Sequence, residues 1–95
     1  RSLKAYKTGN IIVLNICGIS AKAAGNSQTL FRLPNNFFKG YSSATVFTDA
    51  SSSSAGNCAG VYTDGTNRIR CHVPSSTGTN TLWGQMIVQA GSYFD

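Results

Sequence analysis

The chain has 95 residues, a formal net charge of +5 from eight Lys and Arg against three acidic residues, and 41% hydrophobic content. One domain covering residues 1–95 is expected, and no apolar run reaches the length of a transmembrane helix, so insertion of a helix into a membrane is excluded. Glu is absent while Ser, Thr, Asn and Gly abound, a composition of short strands and tight turns that excludes a helical architecture.

In chain order, Ser2 to Tyr6 alternates Leu3 and Ala5 with Ser2, Lys4 and Tyr6, which predicts a strand. The Thr8-Gly9-Asn10 turn then folds it against Ile11 to Cys17, the most apolar stretch of the chain. That stretch is too short for a helix and is closed by Gly18, so it predicts a central strand. Ile12, Leu14 and Ile16 share one face and Ile11, Val13 and Cys17 the other. Both faces therefore need cover, one from the domain and the other from a further subunit.

Ser20 to Gln28 is small and polar and predicts a surface loop. Thr29 to Leu33 predicts a strand stopped by Pro34, after which Asn35-Asn36 turns the chain toward Phe37 and Phe38, expected in the core or at a subunit contact. A further strand is expected over Ala44 to Thr48, with Ala44, Val46 and Thr48 alternating against Thr45 and Phe47. Asp49 to Gly56, with four consecutive Ser, predicts an exposed loop.

Cys58 to Thr63 and Asn67 to Val73 predict a hairpin around Asp64-Gly65-Thr66, with Val61 and Ile69 paired so that residue numbers sum to about 130. Ala59, Val61, Ile69 and Cys71 then turn inward, and Tyr62, Arg68, Arg70 and His72 turn outward together. After Pro74, Ser75 to Asn80 predicts a polar loop. Leu82 to Ala90 predicts a last strand with apolar residues on both faces. The total is about six or seven strands: an all-β fold, a compact antiparallel barrel or sandwich.

The three cysteines, Cys17, Cys58 and Cys71, are an odd count without paired CxxC spacing, so buried free thiols are expected and a Cys58 to Cys71 bridge is the alternative. No metal and no cofactor are expected. The basic charge favours an anionic partner, but without a Lys/Arg block, a basic helix or a recognised motif that partner is not nucleic acid. With three Asp and one His, neither a glycosidase carboxylate pair nor a catalytic metal site is indicated, and no GxSxG element accompanies His72. The expectation is a protein that is not an enzyme and has no catalytic residue.

The outward set Tyr62, Arg68, Arg70 and His72 joins an aromatic surface to forked donors, residue types that stack on sugar faces and hold phosphate. With Trp83, these are the candidate saccharide-binding residues, although each also has an ordinary reading: a solvated edge for Arg and His, core or interface for Trp.

Lys7-Thr8-Gly9-Asn10 before Ile11 to Cys17, Leu33-Pro34 before Phe37-Phe38, the Asp64-Gly65 hairpin, and the ending from Trp83-Gly84 to Ala90-Gly91-Ser92-Tyr93-Phe94 form an ordered pattern. It resembles the C-terminal head domains of receptor-binding proteins of tailed phages, the lactococcal siphophage type in particular. The resemblance implies a β-barrel knob that forms a homotrimer at the virion tail tip or baseplate, assembled in the host cytoplasm, and that binds host cell-wall saccharide, often phosphate-bearing. It also implies that the chain is the C-terminal part of a longer one, in keeping with a start at Arg1. Ala59-Gly60-Val61-Tyr62 and Arg68-Ile69-Arg70-Cys71-His72 differ from the His, Asp and Trp that flank this turn in such heads, so the site residues rest on chemistry and facing. Two other functions fit the chain: a structural knob that trimerises and caps a fibre, and a fragment of a cell-wall polysaccharide hydrolase.

Overall fold

The computed structural model describes residues 2–22, 27–50, 58–73 and 79–95. The strands are β1 (Ser2–Thr8), β2 (Ile11–Lys22), β3 (Ser27–Arg32), β4 (Phe38–Lys39), β5 (Ser43–Ala50), β6 (Cys58–Asp64), β7 (Arg68–His72) and β8 (Thr79–Ala90), followed by a 3₁₀ turn at Ser92–Phe94. Hydrogen bonding orders them β1-β2-β8-β5-β6-β7-β3, with β4 on β8. All described pairs are antiparallel. The sheet curls into a half-barrel, in agreement with the expected all-β barrel class.

Alternation decides what fills its interior. Ile12, Leu14 and Ile16 of β2, Val46 of β5, Val61 of β6, Ile69 and Cys71 of β7, and Leu82, Met86 and Val88 of β8 form one buried cluster. Their partners in the period of two point outward. The β1–β2 hairpin closes through a two-residue loop in which Gly9 takes φ +59°, the positive value that hairpin turns of this length require.

Gly18 does not end the strand, as the sequence suggested, but bulges it. At φ +67° it shifts the register, so that Cys17 pairs with Trp83 while Ile19 pairs with Leu82. A glycine in the left-handed region adds one residue to one strand and re-aims the side chains beyond it. Ala21 is thereby buried, and Ser20, Ala21 and Lys22 belong to β2 rather than to a loop. The other end of that expected loop, Ser27 and Gln28, opens β3, and positions 23–26 lie outside the described residues. Asp49 and Ala50 likewise end β5, and Thr79 and Asn80 open β8; the remainders of those two expected loops, 51–56 and 75–78, lie outside the described residues.

The β6–β7 hairpin has the expected three-residue loop and facing, but it is displaced along the strands. Val61 pairs with Cys71 and Thr63 with Ile69, with Gly65 at φ +71°. Parity is preserved, so the inward and outward sets stand as read. Cys17, Cys58 and Cys71 are all free thiols, but only Cys71 is buried as expected: Cys17 is half-buried and Cys58 exposed because both fall on the outward positions of their strands, and the opposite facing of Cys58 and Cys71 rules out the alternative bridge.

One end of the half-barrel is closed by the crossing from β3 to β4. Leu33 N donates to Asn67 O at 2.7 Å and Phe38 N to Thr66 O at 3.3 Å, tying the crossing to the β6–β7 tip. Gly91 N donates to Phe37 O at 3.0 Å and Tyr93 N to Asn36 O at 2.9 Å, tying it to the end of β8. A Cβ on Gly91 would lie 2.2 Å from Asn36 O, so no side chain fits there. Phe38, fully buried, fills the core under this crossing, one of the two places the sequence anticipated for the Phe pair. Phe37 meets Tyr93 and Phe94 with ring centroids 5.7 and 5.1 Å away, and Lys7 Nζ sits 5.3 Å from the Phe94 centroid.

Candidate functional site

Strand register sets out the outer face of β5, β6, β7 and β3 in rows. One row runs Ser43, Tyr62, Arg70, Thr29; the next runs Thr45, Gly60, His72, Ser27; on the hairpin side Asp64, Arg68 and Arg32 lie abreast. Tyr62, Arg68 and Arg70 are therefore brought together as the sequence suggested, with exposed His72 one row further on.

Asp64, which the sequence placed at the start of the hairpin turn, stands at the centre of the charges. Arg68 Nη2 donates to Asp64 Oδ2 at 2.6 Å, and Arg70 Nε lies 3.8 Å from the same oxygen. Arg70 Nη1 donates to Thr29 Oγ1 at 3.2 Å and Nη2 to Ser27 O at 3.0 Å. Both terminal nitrogens of Arg70 are thus engaged within the sheet. Hydrogen bonding with the side chain of Ser27, foremost, and of Arg70 stabilises the Tyr62 phenolate and holds its pKa below the usual tyrosine value.

Beside Tyr62 is an open cleft of about 310 Å³ lined by Tyr41, Ser42, Ser43, Tyr62 and Thr63. Its origin is a departure of the chain from β8. Phe38 and Lys39 pair with Ala90 and Gln89, and pairing with β8 resumes only at Phe47 opposite Trp83. Between them Gly40 takes φ +74°, which turns Tyr41 out until it is 95% exposed. The detour is pinned on both sides: Ser42 Oγ donates to Ile87 O, Ser42 N donates to Thr63 Oγ1 at 3.0 Å, and Thr63 N donates to Ser42 O at 3.0 Å. The result is two tyrosine rings and the exposed Ser43 around a fixed backbone. Gly40 before an aromatic residue was the signal for Tyr41 in the sequence, but its meaning depends on pairings far along the chain.

Trp83 is not part of this group. It lies in the row Cys17, Trp83, Phe47, Cys58, with β5 between its strand and β6, and Tyr62 stands four positions beyond Cys58 along β6. That is on the order of 15 Å by strand spacing and rise. Its ring covers Gly18, where an added Cβ would lie 3.1 Å from the indole. Tyr6, Ile11, Phe47, Trp83 and Ile87 occupy the outer face of β1, β2, β8 and β5 and are each between 37% and 58% exposed.

Among the described residues no group of three or more His, Cys, Asp or Glu is gathered to hold a metal ion, and no helix is long and apolar enough to cross a membrane. No family model, no curated protein and no solved structure matches the chain.

Proposed function

We propose that this domain adheres to cell-surface saccharide without cleaving it, as one head of a homotrimeric receptor-binding assembly. The observation that carries the reading is the Tyr41–Tyr62 cleft, in which rings able to stack on the apolar faces of sugars stand beside the exposed Ser43 hydroxyl. A shallow site of this kind binds weakly, and three copies on one assembly multiply it. Placement at a phage tail tip or baseplate comes from the ordered pattern of turns and strand ends in the sequence. Binding of the folded domain to an array of bacterial cell-wall glycans tests the reading: retention of at least one glycan, lost in Tyr41→Ala, is expected, and no retention by the assembled protein contradicts it.

A second reading, a structural knob that trimerises and caps a fibre, is favoured by the exposed apolar side chains on β1, β2, β8 and β5. It predicts that Tyr41→Ala and Tyr62→Ala leave host adsorption unchanged, whereas the adhesive reading predicts its loss with the assembly intact.

A further inference from the structure

We infer that the Tyr41–Tyr62 cleft takes an uncharged pyranose, and that Arg70 positions Tyr62 for it rather than holding an anion. The inference rests on the proposed saccharide reading and narrows it against the chain's overall basic charge.

An arginine binds a phosphate or carboxylate group by presenting two parallel N–H donors. Here Arg70 presents its terminal nitrogens to Thr29 Oγ1 and Ser27 O, 3.2 and 3.0 Å away. Arg68 faces Asp64 at 2.6 Å, and the same carboxylate oxygen lies 3.8 Å from Arg70 Nε. A phosphate reaching either guanidinium would displace these bonds and meet the Asp64 charge. The exposed Arg32 stands on β3, at the far side of β7 and β6 from the cleft.

The cleft lining itself carries no charge: two tyrosines, two serines and a threonine. The Thr63 hydroxyl holds Ser42 N and the Ser42 hydroxyl holds Ile87 O, so these two build the wall. Ser43 is exposed at its edge, and Gly60, whose missing Cβ would meet nothing within 4 Å, leaves open surface in the next row beside Tyr62. Register sets Tyr62 between Ser43 and Arg70, and Arg70 is itself held by Thr29 and Ser27, so Tyr62 has a fixed neighbour before a ligand arrives. A ring beside a fixed neighbour and a neutral rim suit the flat apolar face and hydroxyl edge of a pyranose.

The test is a titration of the isotopically labelled protein with methyl pyranosides of glucose, galactose, rhamnose and N-acetylglucosamine, and with glucose 6-phosphate and glycerol phosphate, monitored by backbone amide shifts. Expected is a neutral pyranoside that moves the amides of Tyr41, Ser43 and Tyr62, with an affinity unchanged to within about twofold between about 50 and about 500 mM salt. Tyr41→Ala is expected to weaken it by about tenfold. Arg70→Gln is expected to weaken it as well and to raise the pH at which the Tyr62 phenol ionises, a change that a merely bystanding Arg would not couple to binding. A phosphorylated probe that binds the same amides more tightly and loses its advantage in high salt overturns the inference while keeping the saccharide reading. Absence of any shift at these residues with every probe, together with no retention on the glycan array, overturns both.

Discussion

On the outer face of β1, β2, β8 and β5, Tyr6, Ile11, Val13, Trp83, Phe47 and Ile87 face outward, with Lys4, Asn15, Gln85 and Gln89 among them. On the continuing face of β6, β7 and β3, the outward residues are Tyr62, Asp64, Arg68, Arg70, His72, Ser27 and Thr29. Beneath both halves the inward residues are alike, the aliphatic cluster of the core. The inner face therefore makes the fold, while the outer face is free to be divided. One half carries the aromatic and aliphatic surface that the proposed homotrimer would cover, the other a polar network that holds its own charges.

The largest effect belongs to the shared interior: Phe38→Ala is expected to destabilise the domain by about 3–5 kcal/mol, through lost burial and the cavity left behind. Denaturant unfolding measures it, and a loss below about 1 kcal/mol would mean that the crossing does not close the core.

The apolar half comes next. Ile87→Lys and Phe47→Lys, both exposed positions, are expected to shift the stability of the folded subunit by no more than about 0.5 kcal/mol. Association measured by light scattering is expected to weaken by more than about tenfold. Equal loss of folding and association would show that these side chains serve the subunit itself.

In the polar half the effects are smaller. Asp64→Asn removes the partner of Arg68, and because both side chains are about a third or more exposed, the loss in thermal or denaturant stability is expected to stay within about 1 kcal/mol.

The smallest effect is one of pH. Tyr62 ionises below its ordinary 10.0 when folded, since bonding with Ser27 and Arg70 favours the phenolate. Between that lowered value and 10.0 the unfolded state binds more protons, so stability rises with pH across this window. Below the lowered value the contribution is absent. Ultraviolet titration against Tyr62→Phe is expected to locate the early phenol, and Arg70→Gln is expected to move it upward.

How much of this was legible in the sequence depends on how local each feature is. Alternation in Ile11 to Cys17, in Ala44 to Thr48 and in the β6–β7 hairpin gave the correct facing, because a period of two needs no knowledge of the partner strand. Outward grouping of Tyr62, Arg68 and Arg70 came from the same rule. Gly18 misled because a glycine in a strand reads equally as a stop or a bulge, and only pairing with Trp83 and Leu82 on β8 decides between them. The cleft was hidden for a similar reason. Tyr41 is turned out by Gly40 and fixed by bonds from Ser42 to Thr63 and Ile87, 21 and 45 residues away. Nor could composition show that Asp64 and the Ser27–Thr29 segment engage the guanidinium groups; the net charge of the chain counts cations without saying which are already bound.

The division of the outer face is tested most directly by hydroxyl-radical footprinting of the intact assembly, read residue by residue by mass spectrometry. Phe47, Trp83 and Ile87 are expected to be protected in the assembly, while Tyr41 and Tyr62 are expected to be oxidised readily until saccharide is added. Equal oxidation of both groups, unaltered by saccharide, would contradict that division.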